Sequence, residues 1–238
     1  MGVGSIGRTR GRIFVALAVA IGLALPASAS AAQTIGQTAP ADGCTGGEAY
    51  TQGPLLASTY SPTAPGVITS WSSFAAPTAN TQLKLLVLKP NPAGTTHFIA
   101  TQKDQTRLLA QPGALNTFSG LHLPIQPGEQ LGLFLPSGEA DCFILTPPDT
   151  GLFFTDGDPP LNVDVDFTGS NSNRRLNASA AVEPDADRDG FGDETQDGCP
   201  TSAASQGTCP TKRKKCKKHK KHRGAGATKK KRCKKKKR

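Results

Sequence analysis

The sequence contains few of the residues on which enzymes rely. Its 238 residues include four histidines, one tryptophan and two tyrosines. Only His97 and His122 lie ahead of the basic C-terminal tail, and no paired Cys or Asp motif accompanies either of them. The G-x-S-x-G and H-E-x-x-H motifs and a Gly-rich phosphate loop are absent as well. These absences argue against the common catalytic arrangements, and we predict that the protein is not an enzyme.

Long apolar stretches are also scarce. The one near the N terminus, IFVALAVAIGLAL at residues 13–25, is short for a membrane span and follows three arginines. Small residues come next and offer cleavage sites at residues 27–29 and 29–31, both ASA. We therefore predict a secretory signal peptide over residues 1–31, with a mature chain that begins near Ala32; an uncleaved anchor is the alternative. No later stretch is apolar enough to span a bilayer, so the product is expected to be exported whole.

The region after the signal lacks a convincing amphipathic helix. Short runs of alternating apolar and polar residues recur instead, separated by Pro, Gly, Asn and Ser. About 150 residues suffice for one domain with a hydrophobic core. We predict an all-β fold, a β-sandwich of the jelly-roll type, over residues 32–182.

Three runs predict which side chains face the core of this sandwich. They are VITSWSSF at residues 67–74, LKLLVLK at residues 83–89 and LNVDVDF at residues 161–167. The predicted inward-facing residues are Val67, Thr69 and Trp71 in the first run, Leu83, Leu85 and Val87 in the second, and Leu161, Val163, Val165 and Phe167 in the third. In the second run, Lys84 and Leu86 are predicted to face outward.

Two features of the domain leave a carbohydrate-related function open. Asp164 and Asp166 lie on one side of a predicted strand, as the carboxylates of a glycosidase would, although a solvent-facing strand explains them more simply. Trp71, Tyr50 and Tyr60 are amphipathic aromatics on which a sugar or protein ligand could stack, with a core position as the favoured alternative for Trp71. A secreted carbohydrate-active enzyme is therefore the second function that we consider.

Charge divides the chain into segments. The signal carries three arginines, and residues 33–182 have a net charge of −5. Residues 183–200 have a net charge of −6, and residues 201–238 carry eighteen basic residues and no acids. A mildly acidic domain is thus followed by a strongly acidic segment and a polycationic end.

The acidic segment contains DADRDGFGDETQDGCP at residues 185–200, whose acids alternate in the manner of a calcium loop. Carboxylates on alternate residues converge on one ion if the chain curls tightly, which Gly190 permits, and Phe191 then offers its backbone carbonyl. With Asp185 as position 1, position 12 is Gln196, and Asp197 falls one place later; Glu194 and Asp197 are both plausible closing ligands. We predict a calcium site here, with a disordered acidic linker as the alternative.

This stretch resembles a thrombospondin type 3 repeat, a calcium-binding D-x-D-x-D-G-x-G-D unit followed by an acid and Cys-Pro. The resemblance covers about sixteen residues within a segment that we assign to residues 183–210. It implies the following roles: side-chain ligands from Asp185, Asp187, Asp189 and Asp193, a carbonyl ligand from Phe191, Asp197 as the closing acid, and Cys199 as a disulfide partner after the loop. The chain has one residue more than usual before the closing acid and a single unit where the family stacks several. The order of segments as a whole resembles exported proteins of high-GC actinobacteria, which implies export but no activity.

Six cysteines in an exported chain are expected to be largely paired, and the sequence allows fifteen connectivities. Local context favours Cys44 with Cys142, the only two in the domain, and Cys199 with Cys209, which would close a short loop. For the two tail cysteines, Cys216 and Cys233, an internal bond and intermolecular bonds both stay open.

The tail, residues 211–238, contains no apolar residue larger than Ala or Cys and is predicted to be disordered. Its basic blocks can neutralise anionic wall polymers, anionic lipid head groups or nucleic acid with little sequence preference. It has no aromatic residue on which a base could stack, so nucleic-acid binding would be non-specific. We expect a secreted or wall-associated calcium-binding structural or adhesion protein, with extracellular polyanion or DNA binding as an alternative.

Overall fold

The computed structural model covers most of the chain between the predicted signal and the tail. It describes residues 31–40, 42–74, 82–91, 96–111, 113–136, 139–145 and 151–210, with the backbone alone for residues 42–45, 55–56, 139–142 and 145. The signal peptide predicted up to residue 31, apart from its last residue, and the predicted disordered tail lie outside these ranges. Within them, no helix has the length and apolar character needed to cross a membrane.

Over these described ranges the chain forms β-strands and a single 3-10 helix at Pro54–Tyr60, without an α-helix. The first eight strands are β1 (Gln33–Gln37), β2 (Asp42–Thr45), β3 (Glu48–Gln52), β4 (Gly66–Phe74), β5 (Gln82–Pro90), β6 (His97–Lys103), β7 (Arg107–Leu108) and β8 (Leu115–Ile125). The others are β9 (Gln130–Phe134), β10 (Glu139–Leu145), β11 (Gly151–Asp156), β12 (Asp164–Asp166), β13 (Gly169–Ser172), β14 (Arg174–Leu176) and β15 (Ala178–Pro184).

These strands build a sandwich of antiparallel sheets. One sheet has the order β1-β15-β4-β8, and the larger one has the order β12-β6-β5-β9-β3-β11-β13, with β7 paired to β5. A small sheet, β14-β10-β2, adjoins them. The main core takes Ile68 and Trp71 from the first sheet and Leu85 and Leu133 from the second. The predicted all-β, β-sandwich-like fold class is confirmed.

The run LKLLVLK has apolar residues buried on both faces of β5. Leu83, Leu85 and Val87 enter the main core as predicted. Leu86, predicted to face outward, is instead buried in a second cluster on the opposite face, which also contains Phe167. Phe167 follows β12 in the chain and packs in this cluster with Leu86, so β5 is apolar on both faces.

A β-bulge in β4 changes the predicted inward-facing set. In its pairing with β15, β4 has one extra residue, Thr69, between Ile68 and Ser70. Because the extra residue reverses the alternation, Ile68 and Trp71 both enter the main core, and Thr69 turns to the other face. The prediction that Val67, Thr69 and Trp71 share an inward face is therefore wrong.

The run LNVDVDF is a shorter strand than its alternation predicts. Asp164–Asp166 pair with β6 as a strand, whereas Leu161 makes an isolated bridge to β6, and Leu161 and Val163 are 50% and 47% exposed. Asn162 adopts a left-handed conformation, with a φ of 60°, which interrupts the extended chain before the strand begins. The predicted inward positions of Leu161 and Val163 are wrong, whereas Phe167 is fully buried.

Candidate metal site

Glu183 fixes the segment that we call the acidic loop, residues 185–197, to the sandwich. Its buried carboxylate accepts hydrogen bonds from the hydroxyls of Thr69 on β4, at 3.1 Å, and Thr195, at 2.6 Å. It also accepts the N–H groups of Glu194 and Thr195, at 3.1 and 2.9 Å. Burial by itself raises the pKa of Glu183, but these hydrogen bonds outweigh burial and hold the pKa below its usual value. The ionised carboxylate is thus the main attachment point of the loop.

Gln196 and Phe191 attach the acidic loop to β8. The side-chain N–H of Gln196 donates to the carbonyl of Leu121 at 2.8 Å, and its Oε1 accepts the N–H of Gly192 at 3.1 Å. The ring of Phe191 packs on that of His122, with 4.5 Å between the ring centroids. Gln196, at the twelfth loop position, therefore anchors the loop to the sheet. The sequence reasoning missed this role and that of Glu183, although Glu183 is the one acid in the apolar run of β15.

Three carboxylates converge in the first half of the acidic loop. Asp185, Asp187 and Asp189 each offer an oxygen, and these atoms lie within 4.8 Å of one another, so the group could hold a metal ion. The chain curls because Asp185 accepts the N–H groups of Asp189 and Gly190, at 3.1 and 3.0 Å. Gly190 takes a φ of +87°, the left-handed conformation that its position as the turning glycine predicts. Asp185 and Asp189 line a cleft of about 400 Å³, together with Arg188 and Gly190.

Two aspartates of the acidic loop have buried oxygens without a hydrogen-bond partner. Both carboxylate oxygens of Asp187 are in this state. Asp197 is 6% exposed; its Oδ1 accepts the N–H of Cys199 at 2.8 Å, and its Oδ2 is buried without a partner. Buried polar atoms are almost always paired, and an unpaired buried carboxylate is costly. These three oxygens lack the positive partner that their burial requires.

Asp193 lies in the electrostatic field of the other aspartates. Burial raises its pKa above the usual value, and the negative charges of Asp185, Asp187 and Asp197 raise it further. A hydrogen bond from the N–H of Ala186, at 3.1 Å to one carboxylate oxygen, opposes these effects without cancelling them. All the aspartates predicted as ligands are thus concentrated in one strongly negative region.

A disulfide closes the chain immediately behind the acidic loop. Cys199 and Cys209 are bonded, as predicted, with their Cα atoms 4.6 Å apart. Within the closed turn, the side-chain N–H of Gln206 donates to Oδ2 of Asp189 at 3.1 Å. The disulfide turn therefore folds back onto the carboxylate cluster.

The other cysteine predictions fall largely on residues that are not described. The side chains of Cys44 and Cys142 lie outside the described residues, although the backbones of β2 and β10 pair and place Ala140 opposite Cys44. Cys216 and Cys233 lie outside the described residues altogether.

Asp164 and Asp166 share a face of β12, as predicted, with His97 between them. Nδ1 of His97 is 3.1 Å from Asp164, and Nε2 is 3.8 Å from Asp166. The two carboxylates are about 40% exposed at the edge of the larger sheet. They face solvent across one imidazole, which is the arrangement expected of an ordinary polar strand face.

The three large amphipathic aromatics belong to the core. Trp71, Tyr50 and Tyr60 are each at most 2% exposed. The indole N–H of Trp71 donates to Asp104 at 2.8 Å, and the hydroxyl of Tyr60 donates to the carbonyl of Leu176 at 2.6 Å. The interpretation of these rings as a stacking surface for a ligand is wrong, because none of them is accessible.

A comparison of the chain with models of protein families, with curated proteins and with solved structures found no significant similarity to any of them. The functional argument therefore rests on the geometry and the sequence pattern of the acidic loop.

Proposed function

We propose that the acidic loop is a calcium site, and that the bound ion holds the loop and the disulfide turn against the β-sandwich of an exported, non-catalytic protein. The observation that carries the proposal is the set of buried, unpartnered oxygens on Asp187, which is one of three converging carboxylates, and on Asp197. Calcium suits such a site because it takes six to eight oxygen ligands in a flexible geometry, whereas magnesium demands a near-ideal octahedron.

The proposed ligand set combines the first and second halves of the acidic loop. It contains the side chains of Asp185, Asp187, Asp189, Asp193 and Asp197 and the backbone carbonyl of Phe191. Asp197 is the proposed closing ligand: the amide of Gln196 is engaged with the chain, whereas Oδ2 of Asp197 has no partner. The resemblance to a thrombospondin type 3 repeat supports the same assignment.

Calcium binding and the stability of the sandwich should be coupled. Without an ion, the clustered carboxylates repel one another, which opposes closure of the loop. The same loop is attached to β4, β8 and β15 through Glu183, Gln196 and Phe191. An ion that binds only the folded loop therefore stabilises the whole domain by mass action.

Calorimetric titration of the mature protein with calcium tests this proposal. We expect one saturable site in the parent protein and none in the Asp187→Asn, Asp189→Asn variant. The matched control is Asp164→Asn, Asp166→Asn, which removes the same charge outside the acidic loop and should bind calcium like the parent. Equal loss in both variants, or no binding in the parent, would contradict the proposal. A glycan-turnover assay on the control variant also tests the carbohydrate-active alternative, which predicts activity in the parent that this variant lacks.

The tail suggests where the protein acts. Eighteen basic residues follow residue 200, and we propose that they retain the exported protein on anionic envelope polymers or on a membrane surface. The disulfide between Cys199 and Cys209 supports export, because such bonds persist in oxidising compartments. Binding to isolated cell wall should fall steeply with salt and disappear on truncation after Pro210; equal binding by the truncated chain would sink this part of the proposal.

A further inference from the structure

The backbone nitrogen of Ala32 lies against the acidic loop. It is 2.6 Å from Oε1 of Glu194, a residue 162 positions later in the chain. Ala31 and Ala32 are exposed and precede β1, which begins at Gln33. The peptide bond between the two alanines is the predicted scissile bond of the second ASA site, and the contact is therefore made by the atom that cleavage would free.

Both sides of this contact are positioned by β15. Gln33 pairs with Val182 in the antiparallel ladder of β1 and β15, which brings Ala32 to the end of the sheet where the acidic loop begins. On the other side, the N–H of Glu194 donates to Glu183 of β15 at 3.1 Å. The distance between the Ala32 nitrogen and the Glu194 carboxylate is thus set by the sheet register and by the Glu183 anchor.

We propose that cleavage between Ala31 and Ala32 creates a structural ion pair, in which the new α-ammonium group of Ala32 binds the carboxylate of Glu194. A signal peptidase breaks the C–N bond with water. The water oxygen goes to the carbonyl carbon of Ala31, which leaves as a carboxylate, and the two water protons end on the Ala32 nitrogen. A neutral N–H donor becomes a cation with three donors, and its hydrogen bond to Glu194 becomes charge-assisted.

The position of the cut decides whether the pair forms. Cleavage at the site of residues 27–29 would leave a chain that begins at Ser30, with only a neutral N–H at Ala32 and the cation two residues away. Cleavage at the site of residues 29–31 places the cation directly on Glu194, within a segment of net charge −6. Ala32 and Glu194 are outside the proposed calcium ligand set, so the ion pair does not depend on a bound metal.

The first test locates the cut. The full chain is expressed in an exporting Gram-positive host, and the N terminus of the product is determined by intact mass and N-terminal sequencing. A mature chain that begins at Ala32 is expected. A chain that begins at Ser30, or that keeps the leader, overturns the proposal.

The second test is a double-mutant cycle in the presence of a chelator. Full-length mature chains that begin at Ala32 or at Ser30 are released from a cleavable fusion, each with Glu194 or with Glu194→Gln. With Glu194, the two-residue extension should lower the folding equilibrium constant roughly 2- to 5-fold, and the effect should shrink in molar salt. With Glu194→Gln, the extension should have no effect. An equal effect in both backgrounds, or none in either, contradicts the ion pair, and neither outcome bears on calcium binding.

Discussion

At the scale of single residues, the acidic side chains near the loop fall into two groups. Glu183 has its oxygens occupied by hydrogen-bond donors from the protein, so its charge is already compensated. Asp187 and Asp197 have buried oxygens that no protein donor reaches. The first kind of carboxylate holds the loop in place, and the second kind leaves lone pairs available to a cation. Substitutions in the two groups should therefore have different consequences.

Asp197→Asn should affect the metal-free and calcium-bound protein in opposite directions. The amide keeps the oxygen that accepts the N–H of Cys199, and it removes a buried charge that has no partner. We expect the free energy of unfolding in chelator to rise by about 1 kcal/mol. Calcium affinity should fall about tenfold or more, because the closing ligand loses its charge.

Urea denaturation and calorimetry measure these two effects. Asp164→Asn serves as the control, since it makes the same change at an exposed strand position and should alter neither quantity. A variant that is less stable in chelator and binds calcium normally would assign Asp197 a purely structural role.

Asp158 should contribute to the decrease in unfolding free energy at acidic pH. Burial by itself raises its pKa, but hydrogen bonds from Lys103 and Lys84, at 2.6 and 2.5 Å, reverse this and lower the pKa below its usual value. A carboxyl group with a depressed folded pKa stabilises the protein above its unfolded pKa, near 3.9, and loses that contribution as the pH falls through the folded value. The ammonium groups of Lys84 and Lys103 each bind one carboxylate oxygen of Asp158, so the turn at residues 156–158 contains an ion-pair site.

Unfolding free energies measured from about pH 5 to about pH 2 test this contribution. Asp158→Asn should lower stability at pH 5 by about 1 kcal/mol or less, since the group is partly solvated, and should flatten the decline toward low pH. Asp156→Asn, an exposed change in the same turn, should keep the parent profile. Parallel profiles for Asp158→Asn and the parent would contradict the assignment.

At the scale of elements, the acidic loop depends on close packing against β15 and β4. A Cβ placed on Gly192 would lie 2.4 Å from Oε2 of Glu183 and 2.8 Å from Cγ2 of Thr69. Gly192→Ala should therefore push the loop off the sheet and destabilise the protein by about 1–3 kcal/mol.

The matched control is Gly207→Ala, in the disulfide turn, where a Cβ would meet nothing within 4 Å. Its unfolding midpoint in urea should match that of the parent, whereas the midpoint of Gly192→Ala should fall. Equal midpoints for the two variants would show that the loop does not need this close approach.

The same elements show what local pattern can and cannot predict. Alternation identified the core face of β5, because Leu83, Leu85 and Val87 continue a regular strand. It failed in β4, where a bulge after Ile68 in the pairing with β15 reverses the faces, since a bulge depends on the partner strand. It also failed to show that the opposite face of β5 is buried, because the cluster on that face includes Phe167, a residue distant in sequence.

In the acidic loop, too, the features set by local sequence were predictable, whereas a feature set by a distant contact was not. The order of its aspartates and the position of Gly190 predicted the convergence of Asp185, Asp187 and Asp189, since these are local features. The sequence left the closing ligand open between Glu194 and Asp197. The presence of a glutamine at the twelfth loop position is explained by the hydrogen bond of Gln196 to Leu121 of β8, a residue distant in sequence.

At the scale of the whole molecule, the acidic loop is in contact with the domain before it. Hydrogen bonds and a ring contact connect the acidic loop to β4, β8 and β15, and a further hydrogen bond connects it to Ala32. The disulfide turn then folds back onto Asp189. A proposed ion in the loop would thus act on the stability of the sandwich and on the point from which the basic tail departs.

The most direct test follows unfolding of the sandwich through its single tryptophan. Trp71 is buried in the main core, so its fluorescence reports the domain and not the loop itself. At a calcium concentration of about 100 times the dissociation constant, the urea unfolding free energy of the parent should rise by about 2.7 kcal/mol. The Asp187→Asn, Asp189→Asn variant should show no rise, and Asp164→Asn, Asp166→Asn should match the parent. If the Trp71 transition of the parent is unchanged by calcium, the claim that an ion in the acidic loop stabilises the sandwich is wrong.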